Sequence, residues 1–491
     1  MREERKVRAS VLAIISLFIC ASILSCTRGE WQPKKEYQDT SETVDLTCPG
    51  DVQCLGEGDG KLYVGTARVK ITPEWPSDKP IYIAGGANNR VATGVNDDIY
   101  ANALIIQQND IKVAIVTMDL IGFYFSDIGK VRKAIKPEWE IDLLVVTTTH
   151  NHQGPDVLGF WGAATFDTGR DPEYVDLIVN KIVEVVGKAN EKLEVANFKF
   201  GCDELKNLTN DLREPYVFDE KICALEFSNR DTGKTIATLI RWGNHPESLS
   251  LENTLISSDF PGFARGFIGK ERGGVALYVS GCVGGMMTPL GVDVYDEDGN
   301  LLPDPSIERT KRIGELVAEK ANELLDSASF VDQPNISLRA KSFFLPIQNL
   351  GLQLSLCAGV TERETYTDGE PMGCEGDTLL TEVGVIRIGP AVIVGIPGED
   401  FPELAFGGIE NMNGDFPNAQ PEPILTDEFK KIIGDGFTPI FVGLYQDELG
   451  YIIPKREYDF SLYEEGFCIS YDAARNIADS LIQMMEELPL P

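Results

Sequence analysis

The chain has 491 residues, 43% hydrophobic and 25% charged, a balance that suits a folded globular protein and excludes bulk disorder. Asp and Glu number 77 against 44 Lys and Arg, a formal net charge of -33. A surface of that sign repels phosphate backbones and anionic headgroups, so nucleic acid is excluded as a partner.

At the N-terminus, basic residues up to Arg8 precede an apolar run from Val11 to Leu24 that ends at Ser25-Cys26. The run is shorter than the roughly 20 residues of a spanning helix. It has the n-region and h-region of a secretory signal, which places a signal peptide over residues 1–25. A small residue before a cysteine matches the bacterial lipobox, with Cys26 lipidated as the new N-terminus, although Leu24 stands where a small residue is usual. The expected location is the bacterial cell envelope, attached to the membrane through that lipid; soluble secretion into the periplasm is the alternative. Residues 26–60 are polar, lack periodicity and read as a tether.

From Leu62 onward, β-type apolar runs alternate with helical patterns. The runs predict strands over 62–71, 103–107, 113–118, 143–149, 235–242, 275–280, 383–388, 391–396 and 439–444. Apolar residues at helical spacing predict helices over 173–192, 307–325 and 471–487. With no repeat and no linker-like break after residue 60, the pattern favours one large α/β domain over 61–491, with mixed sheets flanked by helices. Segments 345–378 and 411–436 read as long loops rich in Gly, Pro and acidic residues. Of ten cysteines, eight lie beyond Cys26, an even number that permits disulfides in an exported chain. Cys48–Cys54 and Cys357–Cys374 are close enough to close local loops, and spacing alone does not set the connectivity. No CxxC occurs, which argues against cysteine-ligated zinc.

Histidine is the sharpest signal. The chain has three, His150, His152 and His245, and each ends or follows a predicted strand. His150 and His152 lie in Thr149-His150-Asn151-His152-Gln153-Gly154-Pro155. Their i, i+2 spacing puts both rings on one face if the strand persists. His245 follows the run 237–242 in Asn244-His245-Pro246. Imidazoles at strand ends in an exported chain without paired thiolates suit zinc, which also takes carboxylate ligands. The best carboxylate candidate is Glu399, in Pro397-Gly398-Glu399 after another β run.

Several segments resemble the neutral/alkaline (non-lysosomal) ceramidase family, catalytic domain only. Thr149 to Pro155 is similar to that family's THTHSGP element, and Asn244-His245-Pro246 to its histidine-proline element. Ser258-Asp259 with Gly262-Phe263 resembles SDNxGY, and Pro397 to Asp400 resembles PGEF. Gly443 through Tyr451, with Tyr458 and Tyr463, is similar to its tyrosine-rich segment. The matches run in family order from about residue 62 to 470. The resemblance implies that His150, His245, Glu399 and Tyr451 bind one zinc ion. It further implies that His152 acts beside the metal as an acid/base, that Arg213 is a substrate-site arginine, and that Tyr463 stabilises the reacting carbonyl. Zinc lowers the pKa of bound water to roughly 7, the chemistry of amide hydrolysis near neutral pH.

Two departures bear on the substrate. The family's GDVSPN reads Gly285-Met286-Met287-Thr288-Pro289 here, so Met286 replaces an acidic residue and Thr288 a serine. The chain stops at Pro491 without the immunoglobulin-like domain of the well-known ceramidases. The expected function is zinc-dependent hydrolysis of the N-acyl bond of ceramide or a related lipid amide. The alternatives are hydrolysis of another small amide or ester at the same metal, or a non-catalytic envelope binding lipoprotein.

Overall fold

Alternation of apolar side chains along each strand decides the layers of this fold. A computed structural model describes residues 60–332, 334–409 and 414–487. The expected signal peptide, Cys26, the tether up to residue 59 and the pair Cys48/Cys54 lie outside the described residues.

The first sheet has eight strands: β1 (Leu62–Lys70), β2 (Tyr100–Gln108), β3 (Ile111–Met118), β4 (Leu143–Thr148), β5 (Glu194–Glu204), β6 (Lys221–Asn229), β7 (Thr235–Trp242) and β8 (Val275–Ser280). Their spatial order is β8-β7-β6-β5-β1-β2-β3-β4. The ladders are antiparallel except at the two edges, where β8 runs parallel to β7 and β4 to β3. The second sheet contains β9 (Ile336–Pro346), β10 (Thr365–Thr367), β11 (Glu370–Gly373), β12 (Thr378–Ile388), β13 (Ala391–Gly395) and β14 (Thr438–Val442). In it β9 pairs with β12 and β13 runs parallel to β14.

Leu104, Ile106, Val113 and Ile115 of the first sheet share one buried core with Ile336, Leu338, Ile386 and Ile393 of the second. Their alternate neighbours, Ala103, Ile105, Ala114 and Val116, pack instead on the helix Pro172–Asn190. On the outer face of the second sheet, Val383, Val385 and Val392 meet the helices Leu425–Ile433 and Ala473–Glu487. The result is four layers, helix, sheet, sheet, helix, each sheet buried on both faces. This bears out the expected α/β class.

Every predicted strand and helix is present within a few residues of its expected bounds, and local chemistry starts the helices. Asp171 accepts from the Glu173 amide with Pro172 behind it, and Ser306 accepts from the Arg309 amide at the start of Ile307–Ser327. The two expected loops carry structure of their own. Within 345–378 lie the helix Leu350–Cys357 and strands β10 and β11, and within 411–436 lies Leu425–Ile433. Cys357–Cys374 is a disulfide. A second, Cys202–Cys223, joins facing residues of β5 and β6; residues 21 apart become neighbours only once the sheet forms. Among the described residues, no helix is long and apolar enough to cross a membrane.

Candidate metal centre

The parallel strand pairs aim their C-terminal ends at one place. β4 runs on to His150, β7 to His245, β13 to Glu399 and β14 to Tyr451. Hydrogen bonds tie these ends together: Gly443 donates to the Ser280 carbonyl at 3.1 Å and Gln446 to the Val146 carbonyl at 2.8 Å. The Ser280 hydroxyl donates to the Thr149 carbonyl at 2.8 Å. Beneath the site, Arg265 forms a two-pronged ion pair with Asp119, the residue after β3, at 2.7 and 2.6 Å. Both partners are buried, so the charges are desolvated together and hold the chain leaving β3 in one position.

The strand β4 ends at Thr148, before the histidine pair, and His150 adopts a left-handed conformation with φ +62. The two rings therefore do not share a face by strand alternation. The turn brings them together instead, with His150 Nε2 and His152 Nε2 3.3 Å apart. His245 joins them, its ring centroid 4.7 Å from that of His150 and 5.4 Å from that of His152. All three rings offer nitrogens within 4.8 Å of one another, the geometry of a group able to hold a metal ion.

The backbone sets the tautomers. His150 Nδ1 donates to the Ile121 carbonyl at 2.7 Å, and His245 Nδ1 to the Met287 carbonyl at 2.6 Å. A carbonyl only accepts, so each Nδ1 carries the proton and each Nε2 of the neutral ring presents a lone pair inward. Glu399 Oε2 lies 3.3 Å from His150 Nε2 and 3.1 Å from His245 Nε2. Lone pairs that converge on one point need a cation or protons between them. Burial opposes ionisation of Glu399, yet His150 and His245 hold its carboxyl down at about 2. Burial likewise pulls His245 down, but Glu399, Glu247 and the Met287 carbonyl outweigh it and the ring titrates above its ordinary value.

His152 is built differently. Its Nδ1 faces Glu247 Oε2 at 3.6 Å, and burial, then the neighbouring His150 and His245, push its pKa well below the ordinary value. Its backbone is held by the Pro246 carbonyl, which accepts from its amide at 3.0 Å, and by Arg90, which donates to its carbonyl. Gly85 makes room for the ring: at φ +87, a Cβ there would lie 2.5 Å from His152 Nδ1.

Glu399 and Tyr451 are register partners in a short parallel ladder. The Tyr451 hydroxyl donates to Met286 Sδ at 3.3 Å, so Met286 supports this tyrosine. Tyr463 packs against Tyr451, with centroids 6.4 Å apart, and both line a cavity together with His150, His152 and Glu399. The remaining wall is largely apolar and includes Leu158, Phe160, Trp161, Leu352, Leu356 and Phe467. Arg213 and Thr288 are not on this wall. The buried Arg213 guanidinium donates to Glu465 at 2.7 and 3.0 Å, lies 3.3 Å from Glu464, and sits over the Phe401 ring. Thr288 accepts from the Leu290 amide at 3.2 Å.

Sequence reasoning did not single out Glu247, Arg90, Gly85 or Glu448. Glu247 directly follows the motif Asn244-His245-Pro246, which was a usable signal. Arg90 and Gly85 are far from the motifs in sequence, and Glu448, although inside the segment Gly443 to Tyr451, is unmarked by composition.

Residues 64–288 match the model of the neutral/alkaline non-lysosomal ceramidase family, N-terminal part. The fold matches a neutral ceramidase from Pseudomonas aeruginosa with a TM-score of 0.68 at 16% identity, over 88% of this chain and 76% of that one. A ceramidase complexed with C2 matches with a TM-score of 0.66 at 16% identity, over 87% of this chain and 75% of the other. The resemblance to that family is thus present in sequence over 64–288, and solved ceramidase structures share the fold.

Proposed function

From the ceramidase family match over residues 64–288, we propose that this protein is a zinc-dependent amidohydrolase that cleaves the N-acyl bond of ceramide or a related lipid amide. The observation that carries the reading is the convergence of His150 Nε2, His245 Nε2 and Glu399 Oε2 beside an apolar cavity. That nitrogen and oxygen donor set fits zinc, and backbone-fixed tautomers are the usual support of zinc-ligating histidines. His150, His245, Glu399 and Tyr451 would hold one ion. When bound, the metal supplies Lewis acidity to water and to the amide carbonyl.

The chain's own residues do the rest. The apolar wall takes acyl chains by removing them from water, at roughly 0.8 kcal/mol per CH₂. His152, neutral near pH 7 and within 3.6 Å of Glu247, is placed to accept a proton and return it to the departing amine. Tyr463 presents a hydroxyl on the cavity wall for the developing oxyanion. Arg213, its charge engaged by Glu464 and Glu465, supports Phe401 and through it Tyr451, a positioning role. Met286 in place of an acidic residue favours testing other amides and esters beside ceramide.

The experiment is a panel of N-acyl lipid amides, simple amides and esters offered to purified zinc-loaded protein, with fatty-acid release read by mass spectrometry. Chelator-sensitive release from lipid amides is expected. Release from esters alone would replace the amide reading, and no release from any member would remove the hydrolase reading.

A further inference from the structure

The lipid-amide reading uses the histidines, Glu399 and the two tyrosines, and leaves one acidic side chain on the same cavity wall without a task. Glu448 is 6% exposed and lines the cavity with His150, His152 and Glu399. Its Oε1 accepts from the Gly450 amide at 2.9 Å. Its Oε2 is buried and has no hydrogen-bond partner among the described residues.

The adjacent Asp447 shows what full satisfaction looks like here. Its Oδ1 accepts from the amides of Phe125 and Glu448 at 3.0 and 2.9 Å, and its Oδ2 from Arg363 Nη2 at 2.6 Å. Arg363 also donates to the Glu448 carbonyl at 2.9 Å, so it fixes the backbone of Glu448 while its charge is spent on Asp447. Space for the side chain is reserved as well. A Cβ on Gly122 would lie 2.7 Å from Cβ and Cγ of Glu448 and 3.1 Å from Oε2. Any larger residue would displace Glu448, and Gly122 directly follows Ile121, the carbonyl partner of His150.

A buried carboxyl oxygen without a partner is costly, and an apolar cavity wall gives it none. We propose that Glu448 is a specificity-determining residue that takes a hydrogen-bond donor carried by the substrate beside the scissile amide, a hydroxyl or an ammonium. This rests on the lipid-amide reading of the site. A substrate with the donor satisfies Oε2; one without it leaves the oxygen unpaired, which is how sites built to bond a hydroxyl reject analogues lacking it. A carboxyl oxygen there accepts from a hydroxyl and from an ammonium alike.

The test uses three N-acyl amides of equal chain length whose amine portion carries, next to the nitrogen, a hydroxyl, an amine or a methyl group. Zinc-loaded wild type, Glu448→Ala and Glu448→Gln are compared by kcat/KM, and binding of the same compounds is followed by calorimetry. Wild type is expected to favour the hydroxyl or amine compound over the methyl one by at least about tenfold, and the favoured arm identifies the donor. Glu448→Ala is expected to bring the ratio close to one, and Glu448→Gln to reduce it. Equal wild-type rates on all three, or an unchanged ratio in Glu448→Ala, overturns the role of Glu448 and leaves amide hydrolysis standing. If Glu448→Ala does not fold, an unchanged profile in the isosteric Glu448→Gln overturns it. If nothing is hydrolysed, the hydrolase reading fails by itself: a donor preference in Kd that is lost in the variants still supports Glu448, and its absence overturns it.

Discussion

Glu399 and Tyr451 stand opposite each other in the two-residue parallel ladder that joins Glu399–Asp400 to Tyr451–Ile452. The Glu399 amide donates to the Gly450 carbonyl at 3.0 Å, so the residues before and within this ladder are bonded together. A carboxylate and a phenol more than fifty positions apart are thereby held in fixed register at the edge of the histidine cluster. Glu399→Ala removes the oxygen that both Nε2 atoms share and is expected to lose most bound zinc, as is His245→Ala. Elemental analysis of the purified variants checks this. Stoichiometric metal in both would take these residues out of the ligand set.

The two histidines of the turn should separate by phenotype. His150 has its Nδ1 committed to the Ile121 carbonyl, so His150→Ala is expected to lose metal and activity together. His152→Ala is expected to keep zinc and lose about 10²–10⁴-fold in kcat, the span of general acid–base groups. Gly85→Ala should resemble it in a milder form, because the new Cβ meets His152 Nδ1. Zinc retained without His150 and lost without His152 would exchange the two roles.

A buried carboxyl away from the metal centre sets a pH dependence of stability. Burial raises Asp259, at the start of the helix Asp259–Arg272, to about 6, against the lowering effect of its hydrogen bonds from Ser248 and the Phe260 amide. The folded state then holds a proton that the unfolded state has released. This contribution is full below pH 4 and is lost as pH rises through about 6, on the order of 3 kcal/mol in all. Asp259→Asn is expected to flatten the fall in urea midpoint between pH 4 and 7. An equally steep fall in the variant would assign the dependence to other groups.

Attachment to the membrane is a proposal about Cys26, which lies outside the described residues. Cys26→Ala is expected to abolish lipid labelling and leave the precursor unprocessed by the lipoprotein route. Unchanged mass and membrane fractionation in that variant would return the protein to plain secretion.

The order of strands and long helices was legible in the chain, because strands buried on both faces show as continuous apolar runs and helices as period-3.6 patterns, and both signals are local. The three histidines were legible for a different reason: a rare residue placed only after β runs stands out without any knowledge of contacts. Their geometry was not legible. Local spacing suggested that His150 and His152 share a strand face, whereas a left-handed turn at His150 brings the rings together, and that conformation depends on the Ile121 carbonyl and the loops packed around it. Cys202–Cys223 required the register of β5 against β6, and Arg213 required the position of Glu464 and Glu465, neither of which spacing contains. Glu448 is one acidic residue among 77 in the sequence. Only burial, the reserved space at Gly122 and the engagement of Arg363 elsewhere set it apart, since the cost of an unpaired oxygen exists only once the cavity has closed around it.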